Sequence, residues 1–475
     1  MPIIPFIGGH YQGRSPNVNS QETINLFPEL DQEGGKAIMA LAGSPGLLHR
    51  FTCEADTEVR GYRVVGDYLY VVQGNKLYKV DKLFNITTLK NSLGSLGETV
   101  WMEDCGTYLM IVDGANGYYH QIGMDNLQKI TDPEFPIPSS LTYQDSRFIV
   151  SAKDTGNFYQ SALKDPTNWN GLEFAQAEGH SDPLYMVLSD HRELWLLGKY
   201  TTEVYQNTGG ADFSFSRVGG GFIEWGIAGP RAACKLDNGV MWLTDKGQFV
   251  RALSYNPQIV STRQIEYMIS KYSRMDDVIA FSMIFEGHAW AWFTFPSAGI
   301  TWIYDASSQL WHVRHSFKTA GDTTQGRHRA NCAVFFNNEW LVGDWTNGKT
   351  YALKSDVYDD DGEAIRAVRT GQVIENTKDP RRWAVVNRCE LDMETGVGTA
   401  TGQGEDPMAM LQFSKDGGHT WGVERWKSMG KQGEYDKEVY WNQCGRYRAV
   451  IPRIIITDPV KRYISGMRLY IDWEE

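Results

Sequence analysis

The chain has 475 residues, with 46 Lys+Arg against 58 Asp+Glu and a formal net charge of −12. That length exceeds one ordinary core and calls for a large domain plus at least one more. The acidic balance excludes a surface built to grip DNA, which needs clustered basic residues, and 22% charged residues exclude wholesale disorder. Residues 363–475 hold 17 basic and 17 acidic residues, so the whole −12 lies in residues 1–362. Forty-eight glycines with 24 Tyr, 20 Phe and 16 Trp suit short strands joined by tight turns.

In chain order, residues 1–57 form an N-terminal arm rich in Gly, Pro and Asn. "SQETINLFPELD" and "LAGSPGLLHRF" within it read as extended or edge strands. Such strands are expected to close a ring of blades or to dock on a neighbouring subunit. The opening "MPIIPFIGGHYQG" lacks the basic and long apolar regions of a signal peptide. No run approaches 18 apolar residues, so no membrane insertion is expected.

A repeat follows. "DYLYVVQGNKLYKV" begins at Asp67 and "TYLMIVDGANGYYHQI" at Thr107, each a hairpin of apolar strands around a Gly or Asn turn. Short strands trail both, at Phe84 and Asp125. The offset is about 40 residues, the length of one propeller blade. Further blades are expected at 138–177, 184–218, 228–262, 277–315 and 329–356, each with a Gly, Asn or Asp turn. Within 277–315, His288 to Phe295 is apolar on both faces, as a strand between stacked sheets requires. Its aromatics, and His288 itself, read as packing rather than as ligand platforms or metal ligands. The glycine-rich "RVGGGF" at Arg217 reads as a loop.

One helix is predicted in "STRQIEYMISKYSRMDD", where Ile265, Met268, Ile269 and Tyr272 share a face and Ser261 or Thr262 caps the start. It is expected to pack over an end of the propeller. The acidic "SDVYDDDGEAI" from Ser355 fails as a calcium loop. With Gly362 at the sixth position, Val357 and Val368 occupy the first and twelfth, where acidic ligands belong. It reads as a turn into the next domain, with a looser cation site left open. Beyond it the repeat is lost, and six or seven longer strands suggest a sandwich.

The expected fold is therefore all-β: a six- or seven-bladed β-propeller over 58–361, then a C-terminal β-sandwich-like domain over 362–475. The sharpest short motif is "SKDGGHTW", an Asp-box pattern of Ser414, Asp416, Gly418, Thr420 and Trp421. Its chemistry is that of a turn: a carboxylate accepts loop hydrogen bonds, a glycine allows the bend and the indole packs beneath. No catalytic, cofactor-binding or metal residue is assigned. There is no G-x-S-x-G elbow, no P-loop, and no close Cys or Cys/His cluster among Cys53, Cys105, Cys234, Cys332, Cys389 and Cys444. The scattered cysteines read as buried thiols of a protein folded in a cytoplasm.

Three segments carry a family likeness: "GIAGPRAACKLDNGVMWLT" from Gly226, "STRQIEYMISKYSRMDDVIAF" from Ser261 and "IYDASSQLWHV" from Ile303. Their order and spacing resemble the packaged-DNA stabilisation proteins, the tail hub or nozzle components, of short-tailed bacteriophages. "INLFPEL" near the start and "ISGMRLYID" near the end resemble the same family more weakly. The resemblance implies a non-enzymatic virion protein, assembled in the host cytoplasm as a homo-hexameric ring. It implies a place beneath the portal and its adaptor, where the ring extends the DNA channel, retains the genome and docks tail spikes or fibres and a needle or plug. Viral DNA would pass the lumen weakly bound, since an acidic lining repels it. A reading of another class is a carbohydrate-active propeller enzyme or tail glycan-binding protein, which converging carboxylates around a cleft would support.

Overall fold

The computed structural model describes residues 4–31, 37–97, 99–177, 182–210, 213–317 and 324–474. The fold is the expected all-β propeller and sandwich, and the described residues form seven blades. Blades one to five are contiguous four-stranded antiparallel sheets, over residues 59–88, 101–129, 138–176, 184–223 and 233–259. Blade six comprises Ile279–Phe285, His288–Phe295, Ile300–Asp305 and Leu310–Phe317. Blade seven is not contiguous. Ala330–Phe336, Glu339–Asp344 and Lys349–Lys354 are completed by Gly46–Thr52, which pairs antiparallel with Lys349–Lys354.

The hairpins explain the repeat. Two-residue turns at Asp145–Ser146, His191–Arg192, Asp237–Asn238 and Asn337–Asn338 hold positive φ at both positions. That is the twist-matched turn for adjacent antiparallel strands, and Asn and Asp tolerate it best after glycine. The second strand of each blade is buried on both faces. In blade six, Trp290 and Trp292 pack against Phe27, Leu47, Val342 and Leu353, while Phe293 and Phe295 pack against Val240, Trp242 and Phe249. Sheets stacked face to face have no solvated side at their centres, so alternation disappears there.

The C-terminal domain is a sandwich of two sheets around Val386, Cys389, Leu391, Leu411, Ile454, Ile464 and Leu469. One sheet runs in the order Leu26–Leu30, Met39–Gly43, Tyr463–Trp473, Ala384–Met393, Val439–Tyr447. The other runs Ser20–Ile24, Ala367–Thr370, Ala449–Ile456, Met408–Ser414, Arg425–Ser428. Ser20–Ile24, Leu26–Leu30 and Met39–Gly43 of the N-terminal arm thus lie in the sandwich, with Tyr11–Gln12 paired onto the edge of Ser20–Ile24. Ile24 also pairs in parallel with Val313, so the second sheet continues into blade six without a break.

Two local readings differ from the structure. "RVGGGF" lies in the strand Phe215–Ile223, the outer strand of blade four, rather than in a loop. Its pairing slips opposite Glu203 and Tyr205, where glycine accommodates the irregular ladder. Val439–Tyr447 is a full sandwich strand that sequence alternation did not reveal. Gln443 sits at φ 53 within it, beside a register shift in the facing strand, and interrupts the two-residue period. The helix Arg263–Ile269 forms as expected, capped by Thr262 Oγ1 accepting from the Ile265 amide at 3.3 Å. It buries Ile265 and Ile269 against blades five and six, and Tyr272 beyond it accepts a hydrogen bond from Trp302 Nε1 at 2.9 Å.

Candidate functional site

The densest polar chemistry lies at the joint between blade six, blade seven and the sandwich. It is assembled from strand alternation. On the face of blade six that meets blade seven, Trp290 and Trp292 lie beside Asp305, His312, Arg314 and Ser316 from the next two strands. All are buried. Arg314 lies 5.4 Å from the Trp290 ring centroid and 5.0 Å from that of Trp292, and donates from Nη1 to the Pro45 carbonyl at 3.3 Å. His288, read as a packed histidine, donates from Nδ1 to Asp305 Oδ2 at 2.8 Å and meets Phe27 edge-on. Burial alone would hold His288 below its ordinary pKa, but the Asp305 carboxylate outweighs it and raises the value.

The acidic stretch after Ser355 forms a hairpin, Asp359–Asp360 with Glu363–Ala364, which joins the closing strand at Leu47. Its carboxylates diverge. Asp359 Oδ1 accepts the Gly362 amide at 2.8 Å, Asp361 pairs with Lys349 at 2.5 Å, and Asp360 turns inward to accept from Ser316 Oγ at 3.0 Å. No group of three or more His, Cys, Asp or Glu that could hold a metal is present among the described residues. Burial pushes the Asp360 carboxyl up to about 6, against the opposing pull of Ser316, Arg329 and Arg314. Nearby, Arg329 lies 3.7 Å from the buried Asp344.

A second clamp holds the arm in place. Arg369, fully buried, donates to the carbonyls of Phe6, Gly8 and Gly9, to Thr23 Oγ1 at 2.7 Å and to Gln21 Oε1 at 2.6 Å. An irregular arm has unpaired carbonyls, and one guanidinium supplies five donors in a planar fork. Desolvation still brings Arg369 down to about 9. Beside it, Glu22 accepts from Arg453 Nη2 at 2.6 Å and Thr370 Oγ1 at 2.6 Å. Burial pushes the Glu22 carboxyl up, but Arg453 and Thr370 outweigh it and leave it below the usual range. His10, buried against Trp302, is pushed down to about 4 by desolvation.

The Asp-box residues come together as one turn at the edge of this clamp. Ser414 Oγ donates to Asp416 Oδ1 at 2.8 Å and accepts the Gly418 amide at 2.8 Å, while Asp416 Oδ1 also accepts the Thr420 amide at 2.9 Å. Those bonds hold the exposed Asp416 carboxyl well below its usual range. Gly417, at φ 72, leaves space for Asn17; a Cβ there would lie 1.6 Å from Asn17 Oδ1. Trp421 packs under Arg453, whose guanidinium lies 3.4 Å from its centroid. The turn therefore connects through Arg453 to Glu22 of the arm.

Sequence reading passed over Arg314, Arg369, Arg462, Glu22 and Asp360. The available signal was an arginine inside an apolar strand, as in "AIRAVRT" and "WHVRHSF". A charge there is either paired or functional. The six thiols are unpaired.

The chain was compared with known proteins. A phage stabilisation profile described as the β-propeller of bacteriophage P22 Gp10 matches residues 2–358. A second, the β-sandwich of bacteriophage P22 Gp10, matches residues 373–472. No curated protein matches the chain. Among solved structures, the N-terminal domain of Nup159 is similar at 8% identity and TM-score 0.43, covering 70% of this chain and 98% of that one. BamB from Moraxella catarrhalis is similar at 10% identity and TM-score 0.37, covering 70% and 97%. YCF48 from Cyanidioschyzon merolae is similar at 11% and 0.41, covering 66% and 99%. With both domains matched in order, this chain belongs to the bacteriophage P22 Gp10 family of phage stabilisation proteins.

Proposed function

We propose that the chain forms the hub, or nozzle, of a short phage tail: a sixfold ring beneath the portal adaptor that extends the DNA channel. The family match across both domains carries this reading. The family is one of structural virion proteins, which implies a non-enzymatic role. In this reading the ring retains the packaged genome and offers docking sites to spikes or fibres and to a needle or plug. The −12 charge, all within residues 1–362, supports weak intrinsic affinity for DNA. A protein that neutralises few phosphates releases few counterions, so little drives binding. Retention is then steric, through a narrowed or plugged lumen.

The test is to add the protein to adaptor-bearing particles and count copies by imaging. Six copies per tail are expected, and another fixed number overturns the ring. DNA binding by the isolated protein is expected to be weak at moderate salt. Tight binding that falls steeply with salt would overturn the steric account.

A further inference from the structure

We infer that copies of this chain join head to tail, the sandwich edge around Trp426 of one copy docking on the outer rim of blade three, at Leu172 and Phe174, of the next. This rests on the ring proposed above and names its subunit contact. Of the 16 tryptophans, Trp426 alone is exposed, at 58%, and Val423 near it is 87% exposed. At the other site Leu172 is 85% exposed and Phe174 41%. Both lie in Asp165–Gln176, where burial alternates, so they share its outer face. Phe174 stacks on Tyr159 at 5.5 Å between ring centroids. Large apolar groups left exposed at a sheet edge mark a contact, and tryptophan is the commonest anchor of one.

The two sites stand at opposite ends of the molecule. Blade seven packs on blades six and one, so the blades close a ring of seven. The sandwich joins that ring at blade six, through Ile24 and Val313, and the link into it joins blade seven, through Asp360 and Leu47. In a ring of seven, blade three lies across from the boundary of six and seven. Asp165–Gln176 is its outermost strand and, among the described residues, pairs only with Asn157–Ala162. At the other end, the sheet that starts at blade six with Ser20–Ile24 finishes four strands later at Arg425–Ser428, about 19 Å outward. One chain cannot bring its own two ends together, so each is open to another molecule.

Charge selects a second copy as that molecule. Asp132, Glu134 and Asp165 border the strand of Leu172 and accept its amides: Asp132 from Trp169 at 2.8 Å, Glu134 from Gly171, and Asp165 from Thr167 at 2.9 Å. None of the three forms an ion pair among the described residues, whereas Glu173 faces Arg147 at 3.6 Å. With Lys164 in the preceding turn, the rim holds four carboxylates against two cations. Trp426 is flanked by Arg425 and Lys427, with the exposed Glu424 before them. Arg425 donates to the carbonyls of Asn442 and Gln443, and Lys427 lies over the Tyr440 ring at 4.4 Å. Neither forms an ion pair among the described residues. An apolar centre thus meets an apolar centre, inside borders of opposite charge. The contact joins two different surfaces of one chain, and repeated about an axis it closes a ring.

Benzoylphenylalanine should replace Trp426, and a mixture of light and isotopically heavy chains should be assembled on adaptor-bearing particles and irradiated. The expected product joins position 426 of one copy to a peptide within 165–176 of another, with mixed-isotope products present. Trp426→Asp and Leu172→Asp are each expected to cut the copies bound per particle at least tenfold with an unchanged melting temperature. Leu83→Asp, at another exposed leucine, is expected to leave them unchanged. Six copies with crosslinks elsewhere, with the adaptor alone, or never of mixed isotope overturn this contact and leave the ring. The expected crosslink at another copy number keeps the contact and overturns the sixfold ring. No copies bound overturns both. Either aspartate variant assembling like the unaltered chain also overturns the contact, and should a variant fail to fold, the crosslink decides.

Discussion

Blade two and blade seven follow one four-strand plan but are assembled differently. Blade two draws its four strands from residues 101–129, and its apolar face packs onto blade one through Leu109, Ile111 and Val72. The polar links between those two blades include a partly exposed ion-pair group, Arg63 with Glu103 and Asp104, each at 2.7 Å, and the buried Arg60, which donates to the carbonyls of Gly74, Ser95 and Gly97. Blade seven takes its outer strand from residues 46–52 and is buried between blade six and blade one, with Phe27 of the sandwich joining its contact with blade six. Its surroundings hold Asp305, His312, Arg314, His328, Asp344, Asp360 and Arg462, all buried. Where a blade is closed locally, the ladder satisfies the strand backbone, and between blades one and two a single buried guanidinium, Arg60, answers nearby loop carbonyls. Where it is closed by a distant, irregular arm, stray carbonyls enter the interior and buried guanidiniums must answer them.

The sharpest break of that contrast is removal of residues 1–45. It deletes the arm strands of both sandwich sheets, with Leu26 and Leu41, and the acceptors of Arg369 among the described residues. Loss of cooperative unfolding is expected in a thermal melt followed by circular dichroism. Retention of the intact chain's transition would mean that the arm is decoration.

Next in size, Arg369→Met is expected to cost about 3–5 kcal/mol in denaturant unfolding, because several buried acceptors lose one shared donor. Arg63→Met, at a part-exposed pair, is expected to cost under about 1 kcal/mol. Equal losses would erase the distinction between the two regions.

The joint is also expected to confer an acid sensitivity, in addition to that of His120 in blade two, whose pKa desolvation also lowers. Desolvation holds His312 down to about 3, and His10 and His315 to about 4. Unfolded, each titrates near 6.5. A lowered folded value means stability is complete above that pH and falls as pH drops below it, because the unfolded chain then binds more protons. Between pH 6.5 and 5, one such histidine accounts for about 2 kcal/mol. Asp360, raised to about 6, opposes this in part, since the folded chain takes up its proton first. Denaturant midpoints at pH 7.5 and 5 should differ, and His312→Phe should narrow the gap. An unchanged gap would place the sensitivity elsewhere.

The smallest effect is expected from Asp416→Ala. The turn loses the acceptor shared by Ser414 and Thr420, so amide exchange at Thr420 should accelerate. The exposed site should leave the global transition nearly unmoved. A large drop in melting temperature would show that the turn anchors Arg453 and, through it, the arm.

Much of the propeller is legible in the chain because its blades are local. Hairpin turns, strand periodicity and the doubly apolar run at His288–Phe295 are all short-range signals, and each blade repeats them. The helix at Arg263–Ile269 is legible for the same reason, through its cap and one apolar face. The Asp-box is equally local: Ser414, Asp416, Gly418 and Thr420 are joined in one turn, and Trp421 packs on Arg453. The strand Val439–Tyr447 was hidden by its irregular register, and "RVGGGF" by glycines that suggest a loop.

By itself, then, the sequence determined the all-β class, the repeated blade, the change of architecture after it and the likeness to phage tail proteins. Those properties are encoded within windows of a few dozen residues. Tertiary structure alone decided where the arm goes, which arginines are buried and which carboxylates they face. Ile24 meets Val313 and Val368, Arg369 meets Thr23, and Asp360 meets Leu47 across hundreds of residues. No local pattern encodes such pairings, because a strand's own alternation says which face is apolar but not which distant edge will complete its ladder.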